Sequence, residues 1–262
     1  MQAFAITSAL ENRVRLSIVI PALNESSRLP TTLEKIAAYL AADGTWLPAE
    51  ILVVDDGSVD GTASAARSVE TPPGIGLRIA THRENRGKGA AVRTGFALAA
   101  GDFVLLTDAD LSAPIEELPL LARAAAAGGG VAVGSRAVDR RLVEIRQPRH
   151  RDLMGRTFNL LVRALRLSRL HDTQCGFKLF PGDLANALAA VQRLDGFAFD
   201  VEYLVVAESW GHQVDEVAVR WQHVEASRVL ALRHSSQMMR DLLRLWWWRF
   251  TRALPPRPDG GS

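Results

Sequence analysis

The sequence predicts an α/β fold: a largely parallel central sheet with helices on both faces. Two observations lead there. In the first half, short apolar runs alternate with segments of helical period, the pattern of right-handed strand–helix–strand crossovers. The polar residues of that half gather just after the apolar runs, at Pro21 to Glu25, Asp55 to Asp60, Asp108 to Asp110, and Ser135 and Arg136. Ligands of open α/β sheets bind in the crevice beyond the strands' carboxyl ends. Four strands that each deliver polar groups to that edge therefore predict a binding cleft.

The elements follow in order. Leu16 to Ile20 reads as a strand, and a helix starts near Pro30, where proline suits the first turn. Ile51 to Val54 is a second strand ending in two aspartates, and Asp60 is placed to cap the next helix. Leu77 to Ala80 gives a third strand, Lys88 to Ala100 a helix and Phe103 to Leu106 a fourth strand. A helix after Pro114 and a strand at Val131 to Val133 complete this half. Beyond it come a basic segment (146–169), the stretch Gly176 to Phe180 and a helix from about Pro181. A further helix capped by Asp200, a strand near Val214 to Trp221 and a long helix (234–253) follow, and the chain closes on a flexible proline- and glycine-rich tail. No linker or repeat divides the chain. Residues 1–230 are expected to form one domain, and 231–262 an amphipathic, membrane-facing helix with that tail.

Composition narrows the class. The chain has 262 residues, 48% of them apolar, enough for a sizeable core. A net charge of only +2 does not suit a nucleic-acid binder. One cysteine excludes a disulfide framework and points to a reducing compartment. No apolar run is long enough to span a bilayer and the N-terminus does not read as a signal peptide, so a cytoplasmic location is expected. The charge is uneven, however: between Arg146 and Arg169 seven arginines face one acid, Asp152. Leucines and Phe158 interleave with them. The last helix repeats the theme, with Trp246, Trp247, Trp248 and Phe250 beside Arg240, Arg244, Arg249 and Arg252. Basic amphipathic stretches with interfacial tryptophans suit a headgroup layer, whereas the bland reading is a packing helix or a dimer contact.

Asp108 and Asp110, one residue apart after a buried strand, suit a hard divalent cation that shares its oxygen ligands with phosphate. A solvated turn before Pro114 is the alternative. Asp55 and Asp56 with Ser58 are either turn chemistry or acceptors for a base N–H and ribose hydroxyls. Asn85 to Gly89, with Lys88 at its centre, is a glycine-rich basic loop that could cradle phosphate at a helix N-terminus. It is neither GxxxxGK[ST] nor GxGxxG, which argues against an ATPase or a dinucleotide-dependent dehydrogenase. The six histidines show no ligand spacing.

Residues 18–25 (IVIPALNE), 53–58 (VVDDGS) with Asp60, 85–95 (NRGKGAAVRTG) and 107–110 (TDAD) resemble the inverting family 2 glycosyltransferases of GT-A, Rossmann-like fold. Gly134 to Arg136, the stretch 172–180 (DTQCGFKLF), Phe199 to Glu202, Trp221 and Ser227 with Arg228 are most similar to the dolichyl-phosphate β-glucosyltransferases. The related dolichyl-phosphate mannose synthases share the front half. The resemblance implies that Pro21, Ala22, Leu23, Glu25, Asp55, Asp56, Ser58, Lys88, Asp108 and Ala109 bind a nucleotide-sugar. It implies that Asp108 and Asp110 hold Mg²⁺ or Mn²⁺. Arg136 and Arg151 would take the acceptor's lipid phosphate, and Arg228 would close on the donor diphosphate. Together with Asp110 these three arginines form the expected catalytic set. The implied reaction is metal-dependent transfer, with inversion, of glucose from UDP-glucose to a polyprenyl or dolichyl monophosphate, by an enzyme lying peripherally on the cytoplasmic face of a membrane. The alternatives are mannosyl transfer from GDP-mannose, transfer to a soluble hydroxyl with Asp200 or Glu202 as base, and a non-catalytic nucleotide-sugar binder. Where the mannose synthases carry a serine four residues after the arginine matching Arg151, this chain has Gly155.

Overall fold

The computed structural model describes residues 13–128, 130–224 and 231–258. Strands β1 (Leu16–Ala22), β2 (Ala49–Asp55), β3 (Ile75–Thr81) and β4 (Phe103–Thr107) alternate with helices α1 (Leu29–Asp43), α2 (Thr62–Arg67) and α3 (Lys88–Leu98). A 3₁₀ turn leads into α4 (Leu118–Gly128), followed by β5 (Val131–Ser135), the short β6 (Val143–Ile145) and α5 (Arg149–Ala164). The chain then forms β7 (Phe177–Pro181), α6 (Gly182–Val191), α7 (Phe199–Ser209), β8 (Val214–Ala218), β9 (Trp221–Gln222) and α8 (Ala231–Phe250).

Seven strands form the main sheet in the order β3-β2-β1-β4-β7-β5-β8. All pairs are parallel except those of β7, which runs antiparallel to both β4 and β5. Chain order reverses between β1 and β4, the switch point at which a crevice opens. The direction of β7 matters for the same edge. Its first residue, Phe177, pairs with the last residue of β4, Thr107. The segment that enters β7 therefore lies among the loops that leave β4 and β5. A second small sheet pairs β6 with β9.

Apolar residues on successive positions of a strand face opposite sides, and here both sides are buried. Ile18 and Ile20 pack with Leu33, Ile36 and Leu118 under α1 and α4, while Val19 packs with Phe96, Leu188 and Tyr203 under α3, α6 and α7. Pro30 stands in the first turn of α1, as expected. A third cluster joins Phe158 and Val162 of α5 to Val201 and Val205 of α7 and to Leu242 and Leu245 of α8.

Four expectations need correction. Asp60 precedes the N-cap residue of α2, Gly61, yet still accepts from the Thr62 N–H at 3.1 Å. Asp200 is no cap: it lies inside the first turn of α7, and its carboxylate meets Lys178 Nζ at 2.6 Å. The strand near Val214 to Trp221 is two strands in different sheets. The tail is not loose over 255–258: Trp210 Nε1 donates to the Pro255 carbonyl at 2.9 Å, and Arg257 meets Asp183 at 2.7 Å. The four last residues and the first twelve lie outside the described residues.

Candidate functional site

A cavity of about 270 Å³ opens at the switch point, walled by Pro21 to Leu23, Glu25, Asp56, Lys88 and Asp108 to Asp110. Local chemistry fixes each wall. Asn24 takes a positive φ of 56°. Its N–H donates to Ser58 Oγ at 2.8 Å, and its own Oδ1 accepts from the Val59 N–H at 3.0 Å. The Glu25 N–H donates to Thr62 Oγ1 at 2.8 Å. Asp55 Oδ1 accepts from the Ser58 N–H at 2.9 Å. Asp55 and Ser58, expected to touch the nucleotide, are not among the residues lining the cavity; they fasten its wall. Glu25 faces the cavity beside Arg28, and burial raises its pKa above the ordinary carboxylate range despite that partner.

Asp56 lines the cavity, but its oxygens are used. They lie 2.7 Å from His82 Nδ1 and accept from the N–H groups of Arg86 (3.0 Å) and Gly87 (2.8 Å). It ties the glycine-rich loop to the end of β2. Below that loop, Gln192 Nε2 donates to the Gly89 carbonyl at 2.8 Å and the Ala90 N–H to the Asp195 carbonyl at 3.2 Å. A Cβ at Gly87 or Gly89 would overlap backbone of residues 194–196, so the close approach of the two segments requires glycine at both.

The two aspartates of the expected cation site share the turn after β4. Thr32 Oγ1 anchors that turn by donating to the Ala109 carbonyl at 2.7 Å. Asp110 Oδ1 accepts from the Ser112 N–H at 2.9 Å, and burial, then the neighbouring Asp108, raises the Asp110 pKa. Asp108 Oδ1 meets Lys88 Nζ at 2.6 Å. Burial pulls the Lys88 pKa down, but Asp108, Asp200 and Asp110 outweigh it, and the ammonium ends above its ordinary value. Asp108 is fenced on its other side by Gly176, where a Cβ would overlap the carboxylate. Two hard, mutually repelling carboxylates at the mouth of the switch-point cavity fit a divalent cation shared with phosphate oxygens. Among the described residues no third His, Cys, Asp or Glu joins them.

A second cavity, of about 450 Å³, lies past the end of β5. It is lined by Arg136, Arg140, Arg146, Arg149 and Arg156, with Asn159, Asp152, Asp172 and Trp221 among the other walls. Arg136 grips Asp172 with Nε at 2.6 Å and Nη2 at 2.8 Å, and lies 5.3 Å from the centroid of the Trp221 ring. Burial would raise the Asp172 pKa, but Arg136 more than reverses this and holds the carboxyl below the usual range. Asp152 meets Arg140 at 3.3 Å and Arg156 at 3.5 Å. Of the two arginines expected here, Arg136 is in the wall and Arg151, on α5, is not among its lining residues. Arg228 lies outside the described residues. Arg140, Arg146, Arg149 and Arg156 were not singled out by sequence as binding residues, although the arginine excess of 146–169 marked the segment.

Segment 172–178 joins the cavities. Asp172 holds Arg136, Gly176 abuts Asp108, and Lys178 Nζ donates to the Cys175 carbonyl and to Asp200, both at 2.6 Å. Neither expected base is available. Asp200 is buried against Lys178, and Glu202 accepts from the N–H groups of Arg193 (2.8 Å) and Leu194 (2.9 Å). Cys175, also buried, has its thiol pKa pushed up to about 12 by burial.

The family described as Glycosyl transferase family 2 matches residues 17–187. The chain is 35% identical to a dolichyl-phosphate β-glucosyltransferase of Drosophila melanogaster, over 89% of this chain and 74% of the relative. It is 32% identical to one of Dictyostelium discoideum (91% and 77%) and 33% identical to the human one (87% and 74%). Among solved structures, glucosyl-3-phosphoglycerate synthase from Mycobacterium tuberculosis with UDP superposes with a TM-score of 0.64 at 20% identity, over 92% of this chain and 82% of that one. Mannosyl-3-phosphoglycerate synthase from Rubrobacter xylanophilus gives 0.63 at 21% identity, over 97% and 81%. These two likenesses establish the fold.

Proposed function

The chain belongs to glycosyl transferase family 2 and is a glycosyltransferase, and from that premise we propose that it moves glucose from UDP-glucose to a polyprenyl monophosphate of the dolichyl type, with inversion. The observation that carries this reading is the pairing of a carboxylate-walled cavity with an arginine-walled one across segment 172–178, with both candidate bases, Asp200 and Glu202, already engaged. A hydroxyl acceptor needs a base to take its proton. A phosphate is already ionised at neutral pH and needs only placement and charge compensation. The commitment of Asp200 and Glu202 to Lys178 and to backbone N–H groups therefore favours the phosphate.

In this mechanism the first cavity takes the nucleotide-sugar and the second the acceptor phosphate. Asp108 and Asp110 would hold Mg²⁺ or Mn²⁺, which would supply positive charge beside the diphosphate. Lys88 adds a second cation on that side. Arg136, fixed by Asp172, and the neighbouring Arg140, Arg146 and Arg149 compensate the acceptor's charge so that its oxygen can approach the anomeric carbon from the face opposite the diphosphate. Arg151 and Arg228 keep the roles the resemblance implies, on the acceptor phosphate and the donor diphosphate. The lipid tail has a path. Leu153 and Leu160, 64% and 58% exposed on α5, and Trp247 and Phe250, 55% and 69% exposed on α8, present apolar surface on helices rich in arginine. Such a surface suits an anionic leaflet. This reading has the enzyme lie peripherally on the cytoplasmic face, where the nucleotide-sugar is supplied; no described helix is long and apolar enough to cross a membrane.

The test offers UDP-glucose and GDP-mannose in parallel to the purified protein with a polyprenyl phosphate and Mn²⁺, in vesicles. Glucose on the lipid is expected. Mannose on the lipid would replace the donor assignment, and glucose passed only to a soluble acceptor such as phosphoglycerate would overturn the lipid.

A further inference from the structure

The Lys88 ammonium sits on Asp108, one of the two carboxylates that the preceding reading assigns to a divalent cation. Its partner is crowded by Gly176, where even a Cβ would overlap the Asp108 carboxylate. Lys88 itself is the first residue of α3, directly after a loop whose backbone is tied to Asp56 and to residues 192–195. Both ends of the 2.6 Å contact therefore stand on fastened backbone. Two carboxylates facing one ammonium leave about one negative charge, and among the described residues no third acidic, His or Cys side chain completes a metal cluster. Small hard cations held by one or two carboxylates take their remaining ligands from substrate phosphates and water.

We propose that Lys88 is a resident counter-cation that bars the Asp108–Asp110 pair to a divalent ion until a nucleoside diphosphate arrives. This rests on the donor reading above. The diphosphate offers Lys88 a more highly charged partner, which draws the ammonium off Asp108. The same diphosphate supplies the oxygen ligands the ion lacks. Ion and nucleotide thus bind as a pair, and by linkage each raises the other's affinity by the same factor. Lys88 is in this sense a positioning and gating residue for the metal.

Direct Mn²⁺ binding, followed by the loss of the free-ion paramagnetic resonance signal, tests this without turnover. Wild type should bind Mn²⁺ poorly alone and much more tightly with UDP. Lys88→Met and Lys88→Gln should each bind Mn²⁺ alone about tenfold more tightly than wild type, the equivalent of about 1.4 kcal/mol, and their gain from UDP should shrink. Lys88→Arg, which keeps the charge, should behave as wild type. Thermal melts of all four proteins identify any that is not folded, and the two neutral variants give independent readings. Unchanged or weaker Mn²⁺ binding by the folded neutral variants without UDP would overturn the proposal. Failure of wild type to bind Mn²⁺ even with UDP would instead overturn the donor-site reading beneath it.

Discussion

The two cavities hold charge in opposite ways. On the side proposed for the donor almost every ionic group already has an internal partner: Lys88 with Asp108, Asp56 with His82 and two backbone N–H groups, Glu25 with Arg28. On the side proposed for the acceptor five arginines share a cavity with two lining carboxylates, Asp152 and Asp172. The first arrangement is stiff and depends on single atoms, because each group is held by a neighbour of fixed geometry. The second spreads its positive potential over several long side chains, so no single arginine beyond Arg136 has a unique place. A donor must be gripped in one pose, whereas an anionic headgroup on a lipid needs a field that draws it in and tolerates some play.

The largest expected effect comes from the joint between the regions. Gly176→Ala places a Cβ into the Asp108 carboxylate and displaces it, which should lower kcat by about 10²–10³, the range for removal of a placed charge-stabilising group. A fall in kcat with little change in the apparent affinity for lipid would confirm that the glycine serves the donor side. A change confined to lipid KM would break the assignment.

Next comes pH. Glu202 fastens the 193–194 loop that supports the glycine-rich loop of the donor side, and burial raises its pKa from 4.5 to about 7 against the pull of the Arg193 and Leu194 N–H groups. The folded state therefore binds this proton more readily than the unfolded chain. The resulting stability is complete below pH 4.5 and is lost as pH rises through 7, amounting to at most about 3 kcal/mol. Thermal melts should show this contribution declining over that interval, and Glu202→Gln should flatten it. The arginines of the other cavity add no such slope, because they stay charged throughout. An unchanged slope in the glutamine variant would remove Glu202 as its source.

The smallest effect tests the spread-out field. Arg149→Ala should raise the lipid KM by about tenfold or less, the range for one contact among several, and leave kcat and Mn²⁺ binding alone. A loss as large as that of Gly176→Ala would show that the arginines act singly after all.

Much of this was legible in sequence, and unevenly. The strands, their order of polar loops and the switch-point cleft follow from period and from where Asp55, Asp108 and Arg136 fall. The stretch 172–180 stood out only by resemblance. Its physical role was hidden because an antiparallel insertion has no local periodic signature, and because the use of Gly176 appears only when Asp108 is seen across the sheet. The local partners of the aspartates after β2 were hidden in a related way. Adjacent carboxylates at a strand end look like ligand acceptors; Asp55 Oδ1 also accepts from the Ser58 N–H and Asp56 from the Arg86 and Gly87 N–H groups, contacts that sequence spacing cannot reveal. Asp200 erred oppositely: an acid near a helix start reads as a cap, and its partner, Lys178, lies on a strand.

The docked tail has one further consequence. Leu242 and Leu245 seat α8 against α5 and α7, and residues 253–257 run back to Arg193, Trp210 and Asp183. The helix is thus moored along its length and again beyond its end. Whatever surface receives Trp247 and Phe250 takes the whole body at one set tilt. The mouth of the arginine cavity then keeps a constant bearing and height above that surface, as the keel of a boat sets the heading of its deck.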